Sequence, residues 1–194
     1  MLKWFGYFAL LAFYIAGLVY LFLPNPKVVQ PESVFRSDEP GDTWQNPNQS
    51  AYYTDLTRSQ VMSFHQDSFA LEFGPFVLPS YRLNYRPEDT ATYIRPQIYA
   101  YYLEEVVHPL RESLFIGGWN PKLSPQTQYL YPFQRDRWAM VRAGKEWDSK
   151  ITLRPYYYPL VVRLLIWTAI FPLSYLVLNQ FRLSLAQLYN AITS

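Results

Sequence analysis

Glu104, Glu105 and His108 are grouped closely enough to bind a metal or to move a proton. On a helix, residues three and four apart share a face, so both carboxylates would flank the imidazole. Glu-x-x-His is half of the pattern with which helical bundles hold a pair of metal ions between carboxylates. The sequence has no second copy, and His65 is the only other histidine available to complete a ligand set. A histidine that ends a helix has a simpler use: it favours the negative pole of the helix dipole and pairs with a preceding carboxylate such as Glu104. Ser113, beside Arg111 and Glu112, invites a hydrolase triad with His108. It lacks the G-x-S-x-G turn that exposes a nucleophilic serine, and it falls in a strand-like run.

Aromatic side chains are the second candidate chemistry. The chain has 18 tyrosines and 6 tryptophans. Trp119, Trp138 and Tyr131 stand in or beside a proline-rich stretch (119–136), where they could form stacking platforms for a sugar or a peptide. The plainer reading is that these rings fill a small core. There is no cysteine, which excludes disulfides, thiolate metal sites and cysteine nucleophiles. No phosphate-binding loop, dinucleotide fingerprint or calcium loop is present. Residues 24–155 hold all 15 acidic residues and 14 of the 17 basic ones, so this stretch is close to neutral and offers no basic surface for nucleic acid. These features weigh against an enzyme and call for no cofactor.

The elements that must position these residues follow from periodicity. Residues 24–50 are polar and proline-rich and read as a linker. Thr57-x-x-Gln60 fits a capping box, and Val61, Met62, His65 and Phe69 keep helical spacing, which predicts a helix within 54–69. Two short strands are expected near 70–74 and 80–85. Pro87-Glu88-Asp89 opens a second helix, which the spacing of Ile94, Ile98, Tyr101, Tyr102 and Val106 carries to Pro109. Residues 111–116 read as a strand stopped by Gly117-Gly118, 119–136 as a loop, and 137–154 as a hairpin whose last strand alternates apolar and polar residues.

Both ends are apolar. Residues 4–23 are twenty uncharged residues, and 156–178 carry a single charge, Arg163. A bilayer core of about 30 Å takes roughly 20 helical residues, so each run is long enough to cross. The first ends in Leu21-Phe22-Leu23-Pro24 without small residues at a cleavage position, so it reads as an uncleaved anchor. Arg163 would snorkel toward the headgroups or meet a carboxylate on another membrane protein. Pro172 is placed to kink the second run. Phe181, Leu185, Leu188 and Ile192 give residues 179–194 one apolar helical face, as expected of an amphipathic cytoplasmic tail. Lys3 and Arg182 flank the two runs and place both termini in the cytoplasm. Lys145, Lys150 and Arg154 pull the other way.

Several segments carry a resemblance: Arg82-Leu83-Asn84-Tyr85-x-Pro87-Glu88, Glu104-Glu105-Val106-Val107-His108-Pro109-x-Arg111-Glu112-Ser113-Leu114-Phe115, and Lys150-Ile151-Thr152-Leu153-Arg154. Over residues 50–118 and 147–165 the chain resembles a family of uncharacterised membrane-anchored bacterial proteins from uncultured lineages. The resemblance implies a bacterial membrane protein and brings no catalytic residue with it.

The resulting expectation is an α+β fold. Two transmembrane helices (1–23 and 156–178) flank a linker (24–50) and a small extracytoplasmic domain (51–155) ordered helix-strand-strand-helix-strand-hairpin. The tail is 179–194. The protein would be a multi-pass component of the plasma (inner) membrane, with the lipid bilayer and other membrane proteins as partners. Its expected role is structural, or in assembly of an envelope complex. The alternatives are a glycan- or peptide-binding sensor using Trp119, Trp138 and Tyr131, and a metal-dependent envelope enzyme using Glu104, Glu105 and His108.

Overall fold

The pleat of one antiparallel sheet decides where Glu104, Glu105 and His108 point. The computed structural model describes residues 2–86, 89, 100–124 and 139–193. Its described part is a mixed α+β structure with three α-helices, arranged as two units, Pro24–Tyr157 and the pair of chain ends.

In the unit Pro24–Tyr157 the strands are β1 (Phe35–Arg36), β2 (Ser50–Thr54), β3 (Leu71–Phe73), β4 (Phe76–Leu78), β5 (Tyr81–Tyr85), β6 (Tyr102–His108), β7 (Glu112–Trp119), β8 (Met140–Arg142), β9 (Lys145–Trp147) and β10 (Ser149–Tyr157). Six of them form a sheet in the order β1-β2-β10-β7-β6-β5, and every pair is antiparallel. β3 with β4 and β8 with β9 form two separate hairpins. Helix α2 (Arg58–Ser68) begins as the sequence requires. Thr57 accepts from the Gln60 backbone, and Gln60 returns a bond to the Thr57 N–H. Its inward residues Val61 and Met62 meet Tyr52, Tyr102, Val106, Leu114, Ile116, Ile151 and Leu153, all essentially without solvent exposure. Each such side chain contributes about 1.5–3 kcal/mol when fully buried.

The expected helix running to Pro109 is corrected by β6. Residues 102–108 are a central strand paired on both sides, with β5 and with β7. Tyr, Leu and two Val favour a strand, and the alternation Tyr102, Glu104, Val106, His108 places every second residue on the α2 face. Polar residues among them obscure the pattern, because in a strand buried on both faces a carboxylate must be ion-paired and so is read as a surface residue. Most of the helix expected at Pro87 lies outside the described residues. β7 runs on through Gly117-Gly118 to Trp119 instead of stopping there. Gly118 is needed for close approach: a Cβ there would stand 2.0 Å from the Tyr102 ring.

Residues 24–50, expected as a linker, belong to the same compact unit. They contribute β1, a 3-10 turn at Pro40–Asp42 and the buried Ser37 and Asp42, whose side chains bond at 2.6 Å. Their proline and polar content mimics a linker because they are held mainly by side-chain bonds, with Val28 and Val34 alone packed on the core cluster among the described residues of the segment.

The other unit joins α1 (Leu2–Phe22) with α3 (Leu160–Thr193). Among the described residues only α3 is long and apolar enough to cross a membrane, over Leu160–Gln187. The apolar stretch of α1 is the shorter Gly6–Phe22. The expectation of two spanning helices is thus met for α3 alone. α3 also continues unbroken past Pro172 to Thr193, where a separate tail was expected. After Leu178 nothing in Asn-Gln-Phe-Arg-Leu-Ser-Leu-Ala-Gln stops a helix, since glycine and proline are absent. Trp167 lies where a Gly17 side chain would be, 2.0 Å from its ideal Cβ, and donates Nε1 to the Tyr14 carbonyl at 3.2 Å. Phe13 and Phe171 flank the same indole.

Candidate functional site

The proposed metal ligands are distributed by the pleat of β6. Glu104 points to the α2 face and Glu105 to the opposite one. Glu104 is fully buried and bonded by two guanidinium groups, Arg58 Nε at 2.6 Å and Arg82 Nε. Burial alone would raise its pKa, but the two arginines outweigh it and hold the carboxyl below its usual range. Glu105 accepts from the Tyr85 hydroxyl at 2.5 Å. That bond and burial push the phenol up to about 12, with burial the larger cause. His108, at the end of β6, stacks on Phe69 with ring centroids 5.4 Å apart, and its Nδ1 lies 3.2 Å from Glu112. Glu112 is shared with the fully buried Arg111, which also donates to the Pro24 carbonyl at 3.1 Å. Among the described residues, no three His, Asp or Glu side chains are placed to hold a metal ion. Ser113 lies within β7, inside a regular strand.

His65, the other histidine, sits on α2 without solvent exposure. Its Nε2 is 2.8 Å from the Tyr52 hydroxyl, and its Nδ1 has no hydrogen-bond partner among the described residues. Burial pushes the imidazole down to about 4, so it is neutral at pH 7.

The opposite face of the sheet carries a charged group that the sequence did not advertise. Glu39, just before the 3-10 turn, accepts from Lys150 Nζ at 2.5 Å, from the Tyr53 hydroxyl at 2.7 Å and from Arg142. Burial opposes ionisation, yet these three donors together bring Glu39 down to about 2. Lys150 also meets Asp42 at 2.6 Å. Arg142 lies over the Tyr53 ring, 4.9 Å from its centroid. Trp119, Met140 and Tyr53 join these charges around a cleft of about 170 Å³. Trp119 is therefore placed beside charged, hydrogen-bonding side chains, while Trp138 and Tyr131 lie outside the described residues. No pattern in the sequence ties Glu39 to Lys150. Only the alternation of Lys150, Thr152 and Arg154 hinted that β10 has a polar face to be matched.

Arg163 is 4% exposed, and its Nε donates to the Tyr158 carbonyl at 2.7 Å. Its side chain turns back toward the start of α3, the direction that helical side chains favour.

No family model, no curated protein and no solved structure matches this chain. The functional reading therefore rests on the residues and their geometry.

Proposed function

We propose that this chain is a two-span bacterial inner-membrane protein whose domain, Pro24–Tyr157, lies outside the cytoplasm and serves as a structural or assembly component of an envelope complex. The observation that carries this reading is the apolar helix pair. Outward-facing residues of α3 such as Leu165, Leu176 and Val177 are 57–68% exposed, and Trp4, Phe8 and Leu11 on α1 are 56–79% exposed. Exposed apolar surface on this scale needs an apolar solvent. α1 inserts beside α3 through Trp167, Gly17 and Tyr14, so its shorter apolar stretch is carried by a full-length neighbour. A second support comes from the domain's paired charges. Glu104, Glu112 and Glu39 are tied to arginine and lysine in fixed pairs, an arrangement suited to holding a fold together.

The absence of cysteine makes the test direct, because each introduced thiol reports alone. Glu72→Cys, exposed in the domain, should react with an impermeant maleimide in intact cells. Tyr189→Cys, exposed beyond Gln187 near the end of α3, should react only after lysis. The reverse pattern would overturn the orientation, and extraction of the wild-type chain by carbonate would overturn the anchor. Mild solubilisation should recover the chain in a complex of defined stoichiometry, and a chain recovered only by itself would count against the assembly role.

A second reading has one observation in its favour. The cleft lined by Trp119, Tyr53 and the charged group at Glu39 has the aromatic and hydrogen-bonding mixture that holds a sugar ring. Titration with N-acetylglucosamine oligomers should quench tryptophan fluorescence in the wild type and not in Trp119→Ala. Equal traces would dismiss it.

A further inference from the structure

One cleft of the domain is made by a strand that outruns its neighbour. β2 begins only at Ser50, which pairs with Leu153. β10 goes on through Arg154, Pro155, Tyr156 and Tyr157, paired with β7 alone. The loop Asn46–Gln49 diverges from that free edge and leaves a cleft of about 620 Å³ between loop and strand. Arg154 spans it, with Nε donating to Gln49 Oε1 at 2.6 Å. Among the described residues, Arg154 makes no ion pair, unlike the arginines bound to Glu104, Glu112 and Glu39. Glu112, which faces Tyr157 across the β7 pairing, is engaged by Arg111.

We propose that this cleft binds the anionic phosphodiester of a lipid headgroup, with Arg154 as the group that recognises it. A guanidinium whose remaining N–H donors have no carboxylate partner is suited to two phosphate oxygens at once. On the opposite wall the amide of Asn48 supplies a neutral donor, while that of Asn46 is held by the Gly41 carbonyl at 2.7 Å. Tyr156 and Tyr157 are 51% and 43% exposed, and such rings are at home at the headgroup level. Tyr156 is steadied by an edge contact with Phe115 at 5.5 Å, and Tyr157 by a bond to the Pro26 carbonyl at 3.3 Å. The location in the chain supports the same ligand, since Arg154 precedes Leu160, the first residue of α3, by only six positions. An added peptide strand fits the open edge less well, because Pro155 offers no N–H to such a partner. This site rests on the reading of α3 as a membrane anchor.

The test uses the full chain in non-ionic detergent, with phosphatidylglycerol or a phosphate-free diacylglycerol added and bound lipid counted by native mass spectrometry. The wild type should retain phosphatidylglycerol at about tenfold lower lipid concentration than diacylglycerol, the preference expected of one charge-assisted contact. Arg154→Gln should erase that preference while Arg154→Lys keeps part of it. Asn48→Glu, a change at an exposed loop position, should erase it by repulsion even if Arg154→Gln fails to fold. Equal retention of the two lipids, or an undiminished preference in Arg154→Gln and Asn48→Glu, would overturn the proposal. So would capture of an extended peptide by wild type and Arg154→Gln alike. Inorganic phosphate added in millimolar excess assigns the source. Displacement of the lipid supports recognition of the phosphate group itself, and persistence supports recognition of the lipid-borne diester. Carbonate-resistant membrane retention should be unchanged in Arg154→Gln, so loss of lipid preference alone indicts the cleft and loss of retention in the wild type indicts the anchor.

Discussion

Glu104 and Glu39 sit on opposite faces of the same sheet and use the same device, a carboxylate between two cations. Glu104 is sealed beneath α2 with no exposure, and its partners Arg58 and Arg82 reach in from the rim. Glu39 is 39% exposed and gathers Lys150, Arg142 and the Tyr53 hydroxyl at the edge of a cleft. The first arrangement has no room for a ligand. The second leaves charged donors and an aromatic wall within reach of solvent. The difference teaches that burial, and not the presence of a charged cluster, separates the part that holds this domain together from the part that can meet a partner.

The comparison breaks if the two carboxylates prove equally costly to remove. Glu104→Gln leaves two guanidinium groups facing a buried neutral amide and should cost about 3–4 kcal/mol, near the lower end for breaking a buried pair because both arginines keep partial access to water. Glu39→Gln should cost no more than about 1 kcal/mol, as expected of a water-screened network. Thermal unfolding of the full chain in detergent, followed by near-ultraviolet circular dichroism of the domain's tyrosines and tryptophans, would read both. A loss at Glu39 as large as that at Glu104 would put the outer face among the structural ones.

Acid separates the faces as well. His65 is held neutral beneath α2, down to about 4 from the ordinary 6.5. The unfolded chain therefore takes up a proton between those values that the folded chain refuses. Stability contributed by this site is present at pH 7 and declines as the pH falls from about 6.5 to 4, by on the order of 3 kcal/mol. Glu39 has the opposite origin and a lower window: its contribution is present above 4.5 and is lost as the pH falls toward about 2. His65→Gln should flatten the stability profile between pH 6.5 and 4, and Glu39→Gln should change only the limb below 4.5. A His65→Gln profile with the wild-type slope above pH 4.5 would show that the helix face is not what titrates there.

Gly118 tests the sealed face sterically. Seating Tyr102 over the Gly118 backbone leaves no space for a methyl group, so Gly118→Ala should cost about 1–3 kcal/mol through overpacking. Gly41→Ala, on the outer segment with nothing near its Cβ, should be nearly neutral in the same melt. Equal effects would mean that the ring moves aside freely.

Legibility in the sequence follows the same division. The α2 start was readable because a capping box is local, with Thr57 and Gln60 three residues apart. β10 was readable because its alternation is strict where one face is buried. β6 was misread as helix because Glu104, Glu105 and His108 look like a helical cluster when only sequence distance is considered. Their environments are set by residues far away, Arg58 being 46 positions from Glu104. Glu39 was invisible for the same reason, lying 111 positions from Lys150 in what reads as a linker. Pairing across a sheet leaves no trace in local spacing, so the sequence reveals which residues could do chemistry and not which ones meet.

The smallest expected effect addresses how the outer face presents Arg142. The β8–β9 hairpin closes with a two-residue turn, Ala143-Gly144, and both residues have positive φ, 53° and 75°. That is the type I′ geometry, which Asn-Gly adopts readily and which strains an alanine. Ala143→Asn should therefore stabilise the hairpin by about 0.5–1 kcal/mol. Arg142, the last residue before the turn, would be held more firmly against Glu39 and Tyr53. The gain should shrink in a Glu39→Gln background if hairpin and carboxylate act as one unit, and should persist in full if the turn acts alone. A double-mutant cycle of melting temperatures distinguishes the two. Full persistence would mean that Arg142 contributes nothing to holding the outer face, leaving Lys150 as the cation that matters there.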